Sequence, residues 1–313
     1  MASLTAPIDG MMRTALLGAA DNRALRRFMY RHGMSLGARR FVAGETLEEF
    51  LAVVRGVNER GFTVACGLLG EGVVDQADAR SVVREYGQIL SAFAAEGLRS
   101  NVALKLTHLG LAIEPNLALR NVTAVAEQAR GFNNFVRIDM EQSAYTDATL
   151  AIYRALRSSG LDNVGMVLQA YLRRSEDDLR SLAELEPNLR LVKGAYLEKA
   201  SIAYQDKADV DRAYARMIEM SLLRNRFTAI ATHDHRIIGH AISFITLHGI
   251  SSDRFEFQML YGVRPKLQAE LVARGHKVRL AIPFGSQWYP YLMRRLAERP
   301  ANLLFFLGTL WRR

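Results

Sequence analysis

Eight short apolar or β-branched runs recur along this chain: FTVACGLL (62–69), NVALKL (101–106), FVRIDM (135–140), GMVLQAY (165–171), LRLVKGAY (189–196), FTAIATH (227–233), RFEFQML (254–260) and KVRLAIPF (277–284). Each has the length and composition of a buried strand. Between them lie segments of helical periodicity such as DQADARSVVREYGQILSAFAAEG, PNLALRNVTAVAEQARG and TDATLAIYRALRSSG. Strict alternation of strand and helix implies parallel strands joined by crossover helices. Eight such units over roughly 250 residues match a closed (β/α)8 barrel, whereas an open doubly wound sheet usually stops earlier. The sequence predicts an α/β fold: a TIM barrel over residues 61–313, preceded by a helical arm over residues 1–60. GLLGEG (67–72) has the wrong spacing for a Rossmann phosphate loop.

Composition narrows the function classes. The single cysteine, Cys66, rules out an internal disulfide framework and sits in an apolar run where a thiol is inert packing. No apolar run approaches the roughly 18 residues that span a bilayer. The net charge of +9 lies at the two ends: seven Arg against Asp9 and Asp21 over residues 1–44, and five Arg against Glu298 over residues 291–313. The body between is balanced and carries no nucleic-acid-binding motif, so no nucleic-acid partner is expected. The Arg-rich start resembles a transit peptide, but Thr46 followed by Glu48 and Glu49 opens a plausible new helix, which favours amphipathic helices packed beside the barrel. A cytoplasmic protein is expected, with its basic ends able to lean on anionic lipid at the inner face of the cytoplasmic membrane.

In such barrels the chemistry sits at the C-terminal ends of the strands. Here those ends carry Glu71, Lys105, Asp139 with Glu141, Gln169, Arg190 with Lys193, Thr232 with His233 and Asp234, and Gln258. The helical segment after the eighth run places Tyr291, Arg294, Arg295 and Glu298 at i, i+3, i+4 and i+7, on one face. His233, Asp234 and His235 are adjacent on a run where neighbours point to opposite faces, and no third ligand is evident, so no metal is expected. No GxSxG elbow is present. What remains is a site rich in cations, suited to an anionic substrate, an anionic cofactor or both; paired Arg forks grip a carboxylate with defined geometry.

RLVKGAYLE (190–198), ATHD (231–234), FEFQMLYGVR (255–264) and YPYLMRRLAERP (289–300) resemble the signature segments of the proline dehydrogenase family, in particular its short bacterial monofunctional form. LKLTHLGL, VRIDME and VLQAYL are similar to the same family's earlier strand motifs, and the resemblance runs from about residue 39 to 307. It implies a distorted (β/α)8 barrel that binds FAD without a Rossmann domain, oxidises L-proline to Δ1-pyrroline-5-carboxylate and passes electrons to a quinone. By resemblance Lys105, Arg294 and Arg295 bind the substrate carboxylate and Tyr291 packs on the ring. Glu71 pairs with the first arginine as a gate. Arg190 lies near flavin N5, where its cation can stabilise developing negative charge, and Asp139 orients polar groups or aids proton removal. Met140, Gln169, Val192, Lys193, Gly194, Ala195, Tyr196, Thr232, His233, Asp234, Gln258, Leu260 and Glu298 fall to the cofactor.

Two positions depart from the family pattern. Gly67 stands where the first strand usually carries Asp, and Ala281 where the eighth usually carries Tyr. The family Tyr helps enclose the proline ring near C4, so alanine leaves space, and the alternative substrate is hydroxyproline or another cyclic amine. A rival of another class is a noncatalytic barrel that binds a membrane or partner through its basic ends.

Overall fold

A computed structural model describes residues 22–70 and 73–298 of the chain. Its centre is a closed parallel barrel of eight strands in sequence order: β1 (Thr63–Leu68), β2 (Ser100–Leu104), β3 (Val136–Ile138), β4 (Val164–Gln169), β5 (Asn188–Val192), β6 (Phe227–Ala231), β7 (Phe255–Leu260) and β8 (Val278–Phe284). All eight predicted runs form strands. Several end earlier than expected, and the difference falls on site residues: Lys105, Asp139, Lys193 and Thr232 each lie just beyond a strand. Gly194, at φ 110°, sits in the left-handed region and cannot continue a ladder, so β5 stops before it and Lys193 to Tyr196 form loop. After β2, Lys105 instead opens a 3-10 turn over Leu106–Leu109.

The crossover helices start where the sequence supplies caps. Helix α3 (Gln76–Ala95) is capped by the Asp75 carboxylate and α7 (Lys207–Arg224) by Asp206. Helices α4 (Pro115–Gly131) and α9 (Pro265–Ala273) begin at proline, whose missing N–H costs nothing in a first turn. α5 (Thr146–Ser158), α6 (Ser175–Ser181) and α8 (His235–Leu247) complete the crossovers.

Residues 54–67 and 73–281 form one compact unit. Its barrel interior is plugged by an arginine. Arg137 on β3 is 2 % exposed, lies over the Phe135 ring at 4.9 Å, and donates through Nη1 to Met166 O at 3.0 Å and Asn188 O at 2.7 Å, and through Nη2 to Asn188 Oδ1. Its register partner on β4 is Gly165, where a Cβ would come within 2.6 Å of Arg137 Nη1 and 2.4 Å of Asn188 O. Only glycine leaves the guanidinium room to cross β4 and reach Asn188 on β5.

Residues 22–53, 68–70 and 282–298 form a second unit. It joins the N-terminal helix α1 (Arg23–His32) to the last helix, α10 (Trp288–Glu298), through Tyr30, whose ring meets Trp288 edge-on at 5.6 Å and Tyr289 at 5.7 Å. Trp288 is fully buried and donates its indole N–H to Glu45 at 2.6 Å. Phe50 of α2 (Leu47–Glu59) stacks on Phe284 at 4.4 Å. Helices α1 and α10 therefore meet within this unit. No helix among the described residues is long and apolar enough to cross a membrane.

Candidate active site

The first group of polar side chains spans β3, β5, β7 and β8. Arg190, 8 % exposed, donates through Nη1 to Asp139 Oδ1 at 2.7 Å. Its Nε and Nη2 are buried and meet no protein acceptor. Burial holds the guanidinium pKa below its ordinary value, with Asp139 and Glu256 opposing the shift. Across β6 the facing residue is Ala229, and beyond it Glu256 on β7 accepts from Gln258 Nε2 at 2.6 Å and Arg279 Nε at 2.7 Å. Burial disfavours the Glu256 charge, but Arg279 and these hydrogen bonds outweigh it, and its pKa lies below the usual carboxylate range.

A second group ties the ends of β2, β3 and β4. Glu141, 6 % exposed, accepts from Thr107 N at 3.1 Å and Thr107 Oγ1 at 2.6 Å, in the turn that Lys105 opens. Its backbone carbonyl accepts from Gln169 Nε2 at 2.8 Å, so one residue positions both the Lys105 turn and Gln169. Burial raises the Glu141 pKa, and the nearby Lys105 charge works against that. Met140 beside it is buried.

The third group is the loop after β5 and the start of α8. Lys193 Nζ lies 3.0 Å from Asp234 and in contact with Asp211, while Lys207 pairs with Asp211. Burial raises the Asp234 pKa, but Lys193 and the Arg236 amide it caps bring it down to about 2. Thr232 Oγ1 accepts from Asp234 N at 3.1 Å. His233 accepts the Leu260 amide on Nε2 at 2.8 Å, which ties the ring to the end of β7. A Cβ on Gly194 would lie 2.1 Å from the Tyr171 ring, so loop and ring fit only with glycine. Glu198 then pins the loop to the β3 side, accepting from Ser143 N and Oγ at 2.7 Å each. Val192 and Tyr196 are half-buried and Ala195 is exposed.

The structure thus pairs Asp139 with Arg190, holds Gln258 on Glu256 two residues away along β7, ties the Lys105 turn and Gln169 through Glu141, and joins Lys193, Thr232 and Asp234. Ala281 lies two residues beyond Arg279 on β8, hence on the same face, and is half-buried. In the other unit the Arg295 guanidinium lies over the Tyr291 ring at 5.5 Å on α10. Glu71 and the side chains of Arg294 and Glu298 fall outside the described residues. Sequence reasoning assigned no role to Glu141, Glu198, Asp211, Glu256 or Arg279. Glu256 had a signal: a carboxylate inside the apolar run FEFQML, two residues from Gln258, must be buried on the same face and so must be paired.

A family model described as proline dehydrogenase matches residues 50–306. The chain belongs to the proline dehydrogenase family. It is 41 % identical over 297 residues to proline dehydrogenase 1 of Bacillus subtilis (strain 168), covering 95 % of this chain and 98 % of that one. It is 40 % identical over 302 residues to the proline dehydrogenase of Deinococcus radiodurans, covering 95 % and 97 %. The fold also matches the solved structure of proline utilization A (PutA) from Bdellovibrio bacteriovorus inactivated by N-propargylglycine, at TM-score 0.83 and 24 % identity, covering 96 % of this chain and 38 % of that one. The barrel is therefore a fold that this chain shares with 38 % of that PutA chain.

Proposed function

We propose that this protein is an FAD-dependent enzyme that oxidises L-proline to Δ1-pyrroline-5-carboxylate and delivers the electrons to a quinone. The observation that carries the reading is Arg190: a buried guanidinium held on one side by Asp139, with Nε and Nη2 left as donors without protein acceptors. Buried donors of that kind imply a polar group from outside the chain. An isoalloxazine ring fits, because its N5 edge gains electron density on reduction, and Gln169 and Gln258 offer further fixed polar atoms. When bound, FAD supplies the hydride acceptor.

The chain's own residues bind, orient and compensate charge. What the family resemblance implies is that Lys105, Arg294 and Arg295 take the proline carboxylate, Tyr291 packs against the ring and Glu71 acts as gate. Asp139 keeps Arg190 fixed and charged, and its second oxygen can orient the substrate amine or accept its proton. Lys193, Thr232 and Asp234, with Met140, Val192, Gly194, Ala195, Tyr196, His233, Leu260 and Glu298, hold the rest of the cofactor. Purified protein should be yellow, and its flavin spectrum should bleach when L-proline is added without oxygen. Colourless protein that takes up no FAD would overturn the assignment.

Ala281 supports a second substrate. On the face shared with Arg279, a methyl group leaves space that a tyrosine would fill, so trans-4-hydroxy-L-proline or another bulkier cyclic amine is accepted alongside proline. Ala281→Tyr should lower kcat/KM for hydroxyproline several-fold more than for proline; equal losses would rule the idea out. The exposed face of α1, with Arg23, Arg26, Arg27, Arg31 and a half-exposed Phe28, supports a cytoplasmic protein that rests against anionic lipid near the quinone pool. Binding to vesicles should require anionic lipid and weaken with salt.

A further inference from the structure

Five ionised side chains share the middle of the barrel: Arg137 and Asp139 from the β3 segment, Arg190 from β5, Glu256 from β7 and Arg279 from β8. They interact electrostatically as one set. Three guanidiniums face two carboxylates, so the set carries one positive charge in excess. Glu256 is its best-buried carboxylate, 4 % exposed, and nothing larger than the Ala229 methyl stands on β6 between the strand positions of Glu256 and Arg190. The same carboxylate oxygen, Oε1, accepts from Gln258 Nε2 and Arg279 Nε. Arg279 in turn donates through Nη1 to Val64 O at 2.8 Å, so Glu256 is anchored across the seam where β8 closes on β1.

Two consequences follow from that geometry. With one of its two amide N–H groups committed to Glu256, the Gln258 amide is held in a fixed orientation, and Oε1 and the second N–H remain for a ligand. And because a buried carboxylate acts through a low-dielectric interior, it lowers the electron affinity of any redox group bound beside Arg190.

We propose that Glu256 is a positioning residue of the cofactor site: it fixes the orientation of the Gln258 amide and limits the barrel centre to a single excess positive charge, which sets the redox poise of the bound flavin. The inference rests on the FAD reading above. A purely structural Glu256 would affect folding and leave the poise alone.

The test is anaerobic equilibration of the holoenzyme with a reference redox dye. In Glu256→Gln, which keeps the shape and an acceptor for Arg279, the ratio of reduced to oxidised flavin at a fixed dye ratio should rise about tenfold, from loss of one charge two strand spacings, roughly 10 Å, from the Arg190 position in a medium of effective dielectric near 20. Glu256→Asp, which keeps the charge, should stay within about twofold of the wild type on the same reasoning. Should Glu256→Gln not fold, Arg279→Gln removes a positive charge from the same set and should lower the ratio instead. An unchanged ratio in a folded, FAD-loaded Glu256→Gln or Arg279→Gln variant overturns the inference while leaving the FAD reading intact. Wild-type protein that takes up no FAD overturns the reading itself.

Discussion

Gly165→Ala should be among the most damaging single-methyl changes in this barrel, and the structure says by how much. The added Cβ would lie 2.4 Å from Asn188 O, 2.6 Å from Arg137 Nη1 and 2.6 Å from the Phe135 ring. Asn188 O belongs to a strand and cannot retreat, so the movable partner is Arg137. Displacing it breaks its bonds to Met166 O, Asn188 O and Asn188 Oδ1 and leaves a buried cation without acceptors. Charge-assisted hydrogen bonds contribute about 1.5–3 kcal/mol each, and partial relaxation returns some of that, so a net loss of about 4 kcal/mol is expected. At about 2 °C per kcal/mol for a chain of this size, the Tm should fall by about 8 °C. The assay is thermal unfolding of Gly165→Ala, Arg137→Met and the double variant. Because Met can bend away from the new methyl, the double variant should cost clearly less than the sum of the two singles. A Gly165→Ala protein within about 2 °C of wild type, or strictly additive losses, would refute the claim that glycine is there to let the arginine cross. Folded Gly165→Ala assayed cold should keep its kcat, since the plug lies toward the N-terminal end of the barrel, away from the chemistry.

Gly194→Ala meets the Tyr171 ring at 2.1 Å and places an L side chain at φ 110°, so it should loosen the Lys193 to Tyr196 loop. FAD titration of apoprotein should show affinity weakened by about tenfold or more, with Tm little changed, as expected for strain confined to a loop; unchanged FAD affinity would remove this loop from the cofactor site. Asp234 provides a pH test. Its folded pKa of about 2 is depressed, so its contribution is present above the unfolded carboxylate value of about 3.9 and is lost as pH falls toward 2. Asp234→Asn can still cap α8, so it removes mainly the charge paired with Lys193. Its Tm should lie below wild type at pH 5 to 7 and converge with it on acidification; a gap that persists to the lowest pH would mean that the Lys193 pair is not its source.

The barrel was legible because its signal is periodic: each β/α unit repeats a buried strand and a one-sided helix, and eight repeats over this length leave few other folds. Strand ends were read too far, as at LRLVKGAY, because apolar character continues through Gly194 and Ala195 while the left-handed glycine has already ended the ladder. Lys105, Asp139, Gln169, Arg190 and Gln258 were visible as polar residues at the C-terminal ends of strands. Glu141 was visible there too, but its pairing was not: Glu141 and Asp211 act through partners 34 and 18 positions away, Thr107 and Lys193 respectively, and no local pattern encodes such pairings. The joining of α1 to α10 through Tyr30, Trp288 and Tyr289 was likewise unreadable, since each aromatic residue alone fits any core.

The contrast between Arg137 and Arg190 explains how one interior serves both stability and chemistry. Both are almost fully buried and face the same lumen, yet burial acts on them through different partners. Arg137 has no carboxylate in contact; backbone carbonyls and an amide oxygen take its two Nη groups, and burial, with Arg190 nearby, pushes its pKa down to about 9. It is a plug, and uncharged acceptors suffice because nothing there has to respond to a change of charge. Arg190 is held by Asp139 on one side only, and its other donors wait unpaired. That is unfavourable for the empty protein by about 1–3 kcal/mol per unsatisfied donor, and the cost is recovered only when a ligand supplies the acceptors. Arg137 leaves one buried nitrogen, Nε, without a protein acceptor, whereas Arg190 leaves two, Nε and Nη2. On the proposed reading, the arginine with two open donors faces the cofactor, and Arg137, with one nitrogen left open and both Nη groups bonded, forms the floor beneath it.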